Sequence, residues 1–239
     1  MVNTNLYNTF FNVKQTGGTI TKGLSALLYD KKELLVKTFA NLIFQLGITY
    51  YVMEKTDVSK DKEKKEKYNY TFILIIIYMF AFIFILAFIP MPTWLKFILF
   101  CGFSYCSGYT LSNLKSFVGE EVIKNALLGT FSIFGIMFAL GLFMLLSGIK
   151  LGIKTAIFLF FCLLFLIIAK LFNNFTEKSS AISKNLTIIG IILFAVYIIY
   201  DTNTILQKNY DGDFITASLD YYLDTINIFT NLVNFNSDS

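Results

Sequence analysis

At 239 residues, with 56% apolar and only 15% charged residues and a mean hydropathy of +0.63, the chain lies outside the composition of a soluble domain and reads as a polytopic membrane protein. Histidine and arginine are both absent. That removes imidazole as a pH switch or metal ligand and leaves proton or cation chemistry to carboxylates, tyrosine, lysine and backbone carbonyls. The net charge of +4 is carried by lysines scattered through the loops, so no nucleic-acid partner is expected and the bilayer itself is the first partner.

In chain order, residues 1–32 form a polar arm that carries Gly17-Gly18, a short Leu24–Leu28 patch and no cleavable signal pattern, so the first apolar run is expected to direct insertion. Seven apolar runs of about twenty residues follow, each the length needed to cross a hydrocarbon core. They are Glu33–Met53, Tyr70–Ile89, Thr93–Leu114, Asn125–Ser147, Gly152–Phe172, Asn185–Leu206 and Phe214–Phe235. The expected fold is therefore all-α, with a transmembrane domain over 33–235 and a short tail over 236–239.

With the arm placed in the cytosol, nine lysines fall on the cytosolic side and eleven on the other, so the positive-inside rule leaves orientation open. Six of the eleven sit in "KTDVSKDKEKKEK", a solvated loop between the first two runs. Pro90 and Pro92 break the chain tightly before the third run. In that run Ser104, Gly108 and Ser112 recur every four residues, a spacing that lets helices approach closely in lipid; Gly135 and Ala139 repeat the idea in the fourth. The fifth run is nearly pure Phe, Leu and Ile and is expected to face lipid. Cys101, Cys106 and Cys162 lie inside spans and are read as reduced.

The last two runs carry the chemistry. Asp201 sits about six residues, or ~9 Å, inside the end of the sixth. In the seventh, Asp213, Ala217, Asp220, Asp224, Asn227, Asn231 and Asn234 recur at steps of three or four, one polar stripe along a helix. A helix lying flat at the interface would carry lysine or arginine on its polar face; this face has none, so the helix is placed inside the bundle. Carboxylates of the two helices then approach each other, and in a low dielectric they share a proton. Hairpin arithmetic counted from Asp213 sets Asp220 level with Asp201, unless the connection runs on to about Thr216, which would favour Asp224.

The segments "IIGIILFAVYIIYDTNTI" and "DFITASLDYYLDTINIFTNLV" resemble the C-terminal signature of the Bax inhibitor-1 family, with weaker likeness upstream in "CSGYTLS", "ALLGTFSIFG" and "VKTFANLIFQLGITYYV". The resemblance implies a seven-helix bundle with the last helix central and a pH-sensitive calcium leak in internal membranes linked to resistance to cell death. It places the family's paired aspartates on Asp201 and Asp224. An arginine latch near the end of the second helix cannot operate here, because the chain has no arginine; Lys96 is the nearest substitute and a poor one. Asn125 stands where many relatives begin the fourth helix with glutamate.

The expected site is thus Asp201, Asp224 and Asp220 as proton-sensing groups, with Asn227, Asn231 and Asp213 lining a path. Asp201 and Asp224 would hold calcium only in passing, as the permeant ion and not as a cofactor. The alternative is a non-conducting membrane protein that contacts cell-death regulators. No enzyme is expected, since neither a Ser–His pair nor a metal motif is present. The compartment depends on the host: endoplasmic reticulum or Golgi membrane in a eukaryotic or virus-infected cell, plasma membrane in a bacterium. Oligomeric state is not fixed by the sequence.

Overall fold

A computed structural model describes residues 17–56, 74–75, 77–86, 89–175, 180–207 and 212–237. The first half of the polar arm, most of the lysine-rich loop and the 208–211 connection lie outside the described residues. Among those described, the structure is all-helical, with α1 Gly17–Lys55, α2 Ile77–Leu86, α3 Thr93–Lys115, α4 Glu120–Leu146, α5 Ile153–Phe175, α6 Ser180–Gln207 and α7 Phe214–Ser237. From Gly17 onward the arm is continuous with the first apolar run in a single helix of 39 residues.

Local chemistry sets the boundaries. Pro92 has φ −65° and ψ 147° and stands as the N-cap of α3, where a missing N–H costs nothing. The fourth helix starts at Glu120, five residues ahead of Asn125, and carries Glu120 and Glu121 in its first turn, where the helix dipole favours them. Past its last residue, Leu146, the chain turns at Gly148, whose φ of +84° favours glycine; the Gly148 and Ile149 amides donate back to the Leu145 and Met144 carbonyls and close a Schellman motif.

Three helices, Glu120–Leu146, Ile153–Asn173 and Ala181–Gln207, are long and apolar enough to cross a membrane by length and composition. Helices α1 and α7 depart from that pattern because they turn polar side chains inward: Asn41, Gln45 and Thr49 on α1, and Ser218, Asp224 and Asn231 on α7, are all buried. The outer surface is apolar, with Phe158, Phe160, Phe161, Phe165 and Phe172 of α5 exposed. Helix α5 packs mainly on α6. These features make the protein an integral membrane protein.

The last helix is the centre of the packing, touching α6, α4, α1 and α3. Tyr221 and Tyr222 are fully buried on it. The Tyr221 ring stacks on Phe39 at 5.9 Å and meets the edge of Phe134 at 5.3 Å, while Tyr222 meets Phe100 edge-on at 5.2 Å. In lipid, apolar burial does not drive helices together, so close approach must supply the contact. At Gly108 a Cβ would lie 2.5 Å from the Thr49 carbonyl oxygen, which explains the small residue between α3 and α1. The expectation for α4 is corrected: Gly135 and Ala139 face outward, with nothing near Gly135. The close approach is at Gly141, where a Cβ would lie 2.7 Å from the Ile199 carbonyl oxygen of α6.

Candidate functional site: a carboxyl pair between the last two helices

Asp201 is 9% exposed and Asp224 4% exposed, and their carboxyl groups lie close enough across the α6–α7 contact to act on each other. Asp220, one turn earlier on α7, is half-buried and acts on both through its charge. Asp224 thus lies beside Asp201, with Asp220 one turn away on α7. Asp224 Oδ2 is buried with no hydrogen-bond donor in reach. Beside the pair, the Tyr221 hydroxyl donates to Thr202 Oγ1 at 3.0 Å.

The α6 end of the site is held by the loop that joins α4 to α5. Asn203 Oδ1 accepts from the Leu151 amide at 2.8 Å, Asn203 Nδ2 donates to the Ile149 carbonyl at 2.9 Å, and Gln207 Nε2 donates to the Leu151 carbonyl at 3.1 Å. Two amide side chains thus satisfy the backbone of a chain reversal that would otherwise bury unpaired groups.

The α7 end is held by Asp213. Its Oδ1 accepts from the Thr216 amide at 3.1 Å, the geometry of an N-cap, and its Oδ2 accepts from Thr216 Oγ1 and from Lys96 Nζ. Burial alone would raise this carboxyl, but the hydrogen bonds from Lys96 and Thr216 outweigh it and hold Asp213 below its ordinary value. Lys96 therefore closes on the start of α7 and not on the Asp201–Asp224 pair.

Further along α7, Asn227 Nδ2 donates to the Leu223 carbonyl and Asn231 Nδ2 to the Asn227 carbonyl, both at 2.7 Å. Each amide nitrogen is turned back onto its own helix. Lys170 Nζ of α5 donates to Asn231 Oδ1 at 2.7 Å. Among the described residues no three carboxylate or thiol side chains are grouped as a metal-holding cluster.

Sequence reasoning missed two features. One is Lys170. The other is a buried ladder on the opposite flank of α7. Asn41 Nδ2 donates to Ser218 Oγ at 2.5 Å, Gln45 Nε2 to Asn41 Oδ1 at 3.2 Å, and Ser104 Oγ to Gln45 Oε1 at 2.9 Å. Thr49 Oγ1 lies 2.5 Å from the Tyr222 hydroxyl and 3.0 Å from the Ser104 carbonyl oxygen. The signal was the spacing of Asn41, Gln45 and Thr49, four residues apart in an otherwise apolar run.

Residues 31–238 match the family described as inhibitor of apoptosis-promoting Bax1. The chain is 30% identical over 139 residues to the Golgi anti-apoptotic protein of vaccinia virus (strain Lister), a match that covers 58% of this chain and 56% of that protein. It is 27% identical over 142 residues to Bax inhibitor 1 of Drosophila melanogaster, covering 55% and 54%. With the protein LIFEGUARD 1 of Arabidopsis thaliana it shares 38% identity over 82 residues, 34% of each chain. The chain spans less than two thirds of the length of the curated relatives it matches. The family match runs from the middle of α1 through the whole of α7, and the chain belongs to the Bax inhibitor family.

Proposed function

We propose that this protein is a passive cation pathway of internal membranes, with calcium as the permeant ion, gated by the protonation state of the Asp201–Asp224 pair. The observation that carries the reading is the contact of two buried carboxyls on neighbouring helices of a membrane bundle. Two such groups cannot both hold a charge in a low dielectric, so a single shared proton ties α6 to α7. A change in proton occupancy breaks that tie. The polar face of α7, with Asp220, Asp224, Asn227 and Asn231, then becomes a wet path whose oxygens replace part of the ion's hydration shell. No bond is made or broken in the ion's passage, and the protein acts as a conduit and not as an enzyme.

The names of two relatives, a Golgi anti-apoptotic protein and a Bax inhibitor, support suppression of cell death as the outcome and an endoplasmic reticulum or Golgi membrane as the site in a eukaryotic host. A non-conducting reading, in which the protein contacts membrane cell-death regulators, draws on the exposed phenylalanine face of α5. Calcium uptake by dye-loaded proteoliposomes, paired with a cell-survival assay of Asp201→Asn, separates the two. The leak reading expects uptake above protein-free vesicles and a joint change in leak and survival. Uptake equal to protein-free vesicles, with survival unaffected by the substitution, would favour the contact reading.

A further inference from the structure

Lys170 stands five residues before the end of α5 at Phe175, close enough to the helix end for its ammonium to reach the membrane surface. It turns inward instead. Its Nζ donates to Asn231 Oδ1, and Asn231 is 3% exposed, so the charge is carried to a buried oxygen on the polar stripe of α7. The approach depends on Gly190 of α6, the helix on which α5 packs. A Cβ at Gly190 would lie 2.8 Å from that same Asn231 oxygen. Glycine is what leaves room for the Asn231 amide that the ammonium reaches.

The position along the stripe gives the contact its meaning. Asn231 is seven residues beyond Asp224, about 10 Å along the helix axis on the side away from Asp213. Its nitrogen is already committed to the Asn227 carbonyl, so only its oxygen faces the lysine. An inward-facing amide oxygen on a stripe of carboxylates and amides is a place where a passing cation exchanges water for protein. Lys184 of α6, near the same end, is engaged elsewhere, 5.1 Å from the centre of the Phe235 ring.

We propose that Lys170 is a tethered cation that closes the distal end of the α7 stripe, occupying at Asn231 Oδ1 the place a permeating cation would take. The inference rests on the leak reading and adds to it a second closure point, remote from the carboxyl pair. Being positive, the ammonium both fills the site and repels an entering ion. It acts through its charge, and that separates it from a lysine that merely joins two helices by a hydrogen bond.

The test is cation uptake by proteoliposomes at a pH where the native protein leaks least, comparing native protein with Lys170→Gln, Lys170→Met and Lys170→Arg. Glutamine keeps a donor for Asn231 and loses the charge; arginine keeps both. One unit charge at Asn231, ~10 Å from an ion at the level of Asp224, in an effective dielectric of about 20 corresponds to roughly a ten- to twentyfold change in that ion's occupancy. Uptake should rise by about that factor in both neutral variants and stay at the native level in Lys170→Arg. Lys170→Cys supplies an independent readout: a positively charged thiol reagent should restore the native rate and a negatively charged one should not, with reagent-treated native protein as the blank. Native-like uptake in Lys170→Gln with measurable native flux overturns the tethered cation and leaves the leak reading standing. Uptake equal to protein-free vesicles in native protein and in all variants removes both.

Discussion

Gly108→Ala adds one methyl group at the α1–α3 contact, 2.5 Å from the Thr49 carbonyl oxygen and 2.8 Å from Val52 Cβ. The first of these is backbone, so no rotamer change relieves it, and α1 must back away. Overpacking of this kind costs about 1–3 kcal/mol. The retreat also moves Thr49, whose hydroxyl meets both the Ser104 carbonyl and Tyr222. Loss of those bonds adds about 1 kcal/mol, and the better helix propensity of alanine returns a similar amount. Gly135→Ala is the matched control, because nothing lies within 4 Å of its Cβ position. There only the propensity gain applies. The two variants should therefore differ by about 2–4 kcal/mol, or roughly 4–16 °C in melting temperature. The assay is thermal unfolding in detergent, followed by a thiol-reactive dye that reports exposure of the half-buried free cysteines Cys101, Cys106 and Cys162. A Gly108→Ala protein that melts with or above Gly135→Ala would refute the close-approach argument.

The ladder and the cap give two further expectations. Gln45→Leu strands Asn41 Oδ1 and Ser104 Oγ in the bundle, and should lower stability by about 1–2 kcal/mol in the same melt, whereas Tyr105→Phe, at an exposed position of α3, should change it little. For Asp213, whose folded-state pKa is depressed, the stabilising contribution is present above the ordinary carboxylate value and disappears as pH falls through the lower folded one. The melting temperature of native protein should thus exceed that of Asp213→Asn at neutral pH, and the gap should close below about pH 4. A gap unchanged down to pH 3 would mean that Lys96 and Thr216 do not stabilise the charged form.

The parts of this architecture that were legible in the sequence are those written in a single helix. The α7 stripe shows itself because Asp220, Asp224, Asn227 and Asn231 repeat at helical spacing in an apolar segment, which no lipid-facing helix tolerates. Asp201 is conspicuous for the same reason. Features that depend on which helix lies opposite were not legible. Gly135 and Gly141 are alike in a sequence, yet only Gly141 meets a neighbour, the backbone at Ile199. Lys170 reads as an ordinary helix-end lysine until Gly190 and Asn231 are seen beside it. Hairpin counting alone set Asp220 against Asp201, whereas the family resemblance placed the pair on Asp201 and Asp224; spacing by itself does not decide between two carboxyls one helical turn apart. Asn41, Gln45 and Thr49 carried a readable period, but each is a small fraction of a strongly apolar run, and their role emerges only with Ser104, Ser218 and Tyr222 in place.

The most direct test of the gate is calcium uptake by dye-loaded proteoliposomes from about pH 5 to 8, comparing native protein with Asp201→Asn and Asp224→Asn, a window chosen to span the pH range met in cellular compartments. A pair that shares one proton predicts a pH-dependent native flux and an altered, flatter profile in each single variant, because one asparagine leaves no second carboxyl to compete for the proton. Native and variant proteins with the same pH profile, or native flux no greater than that of protein-free vesicles, would contradict the account.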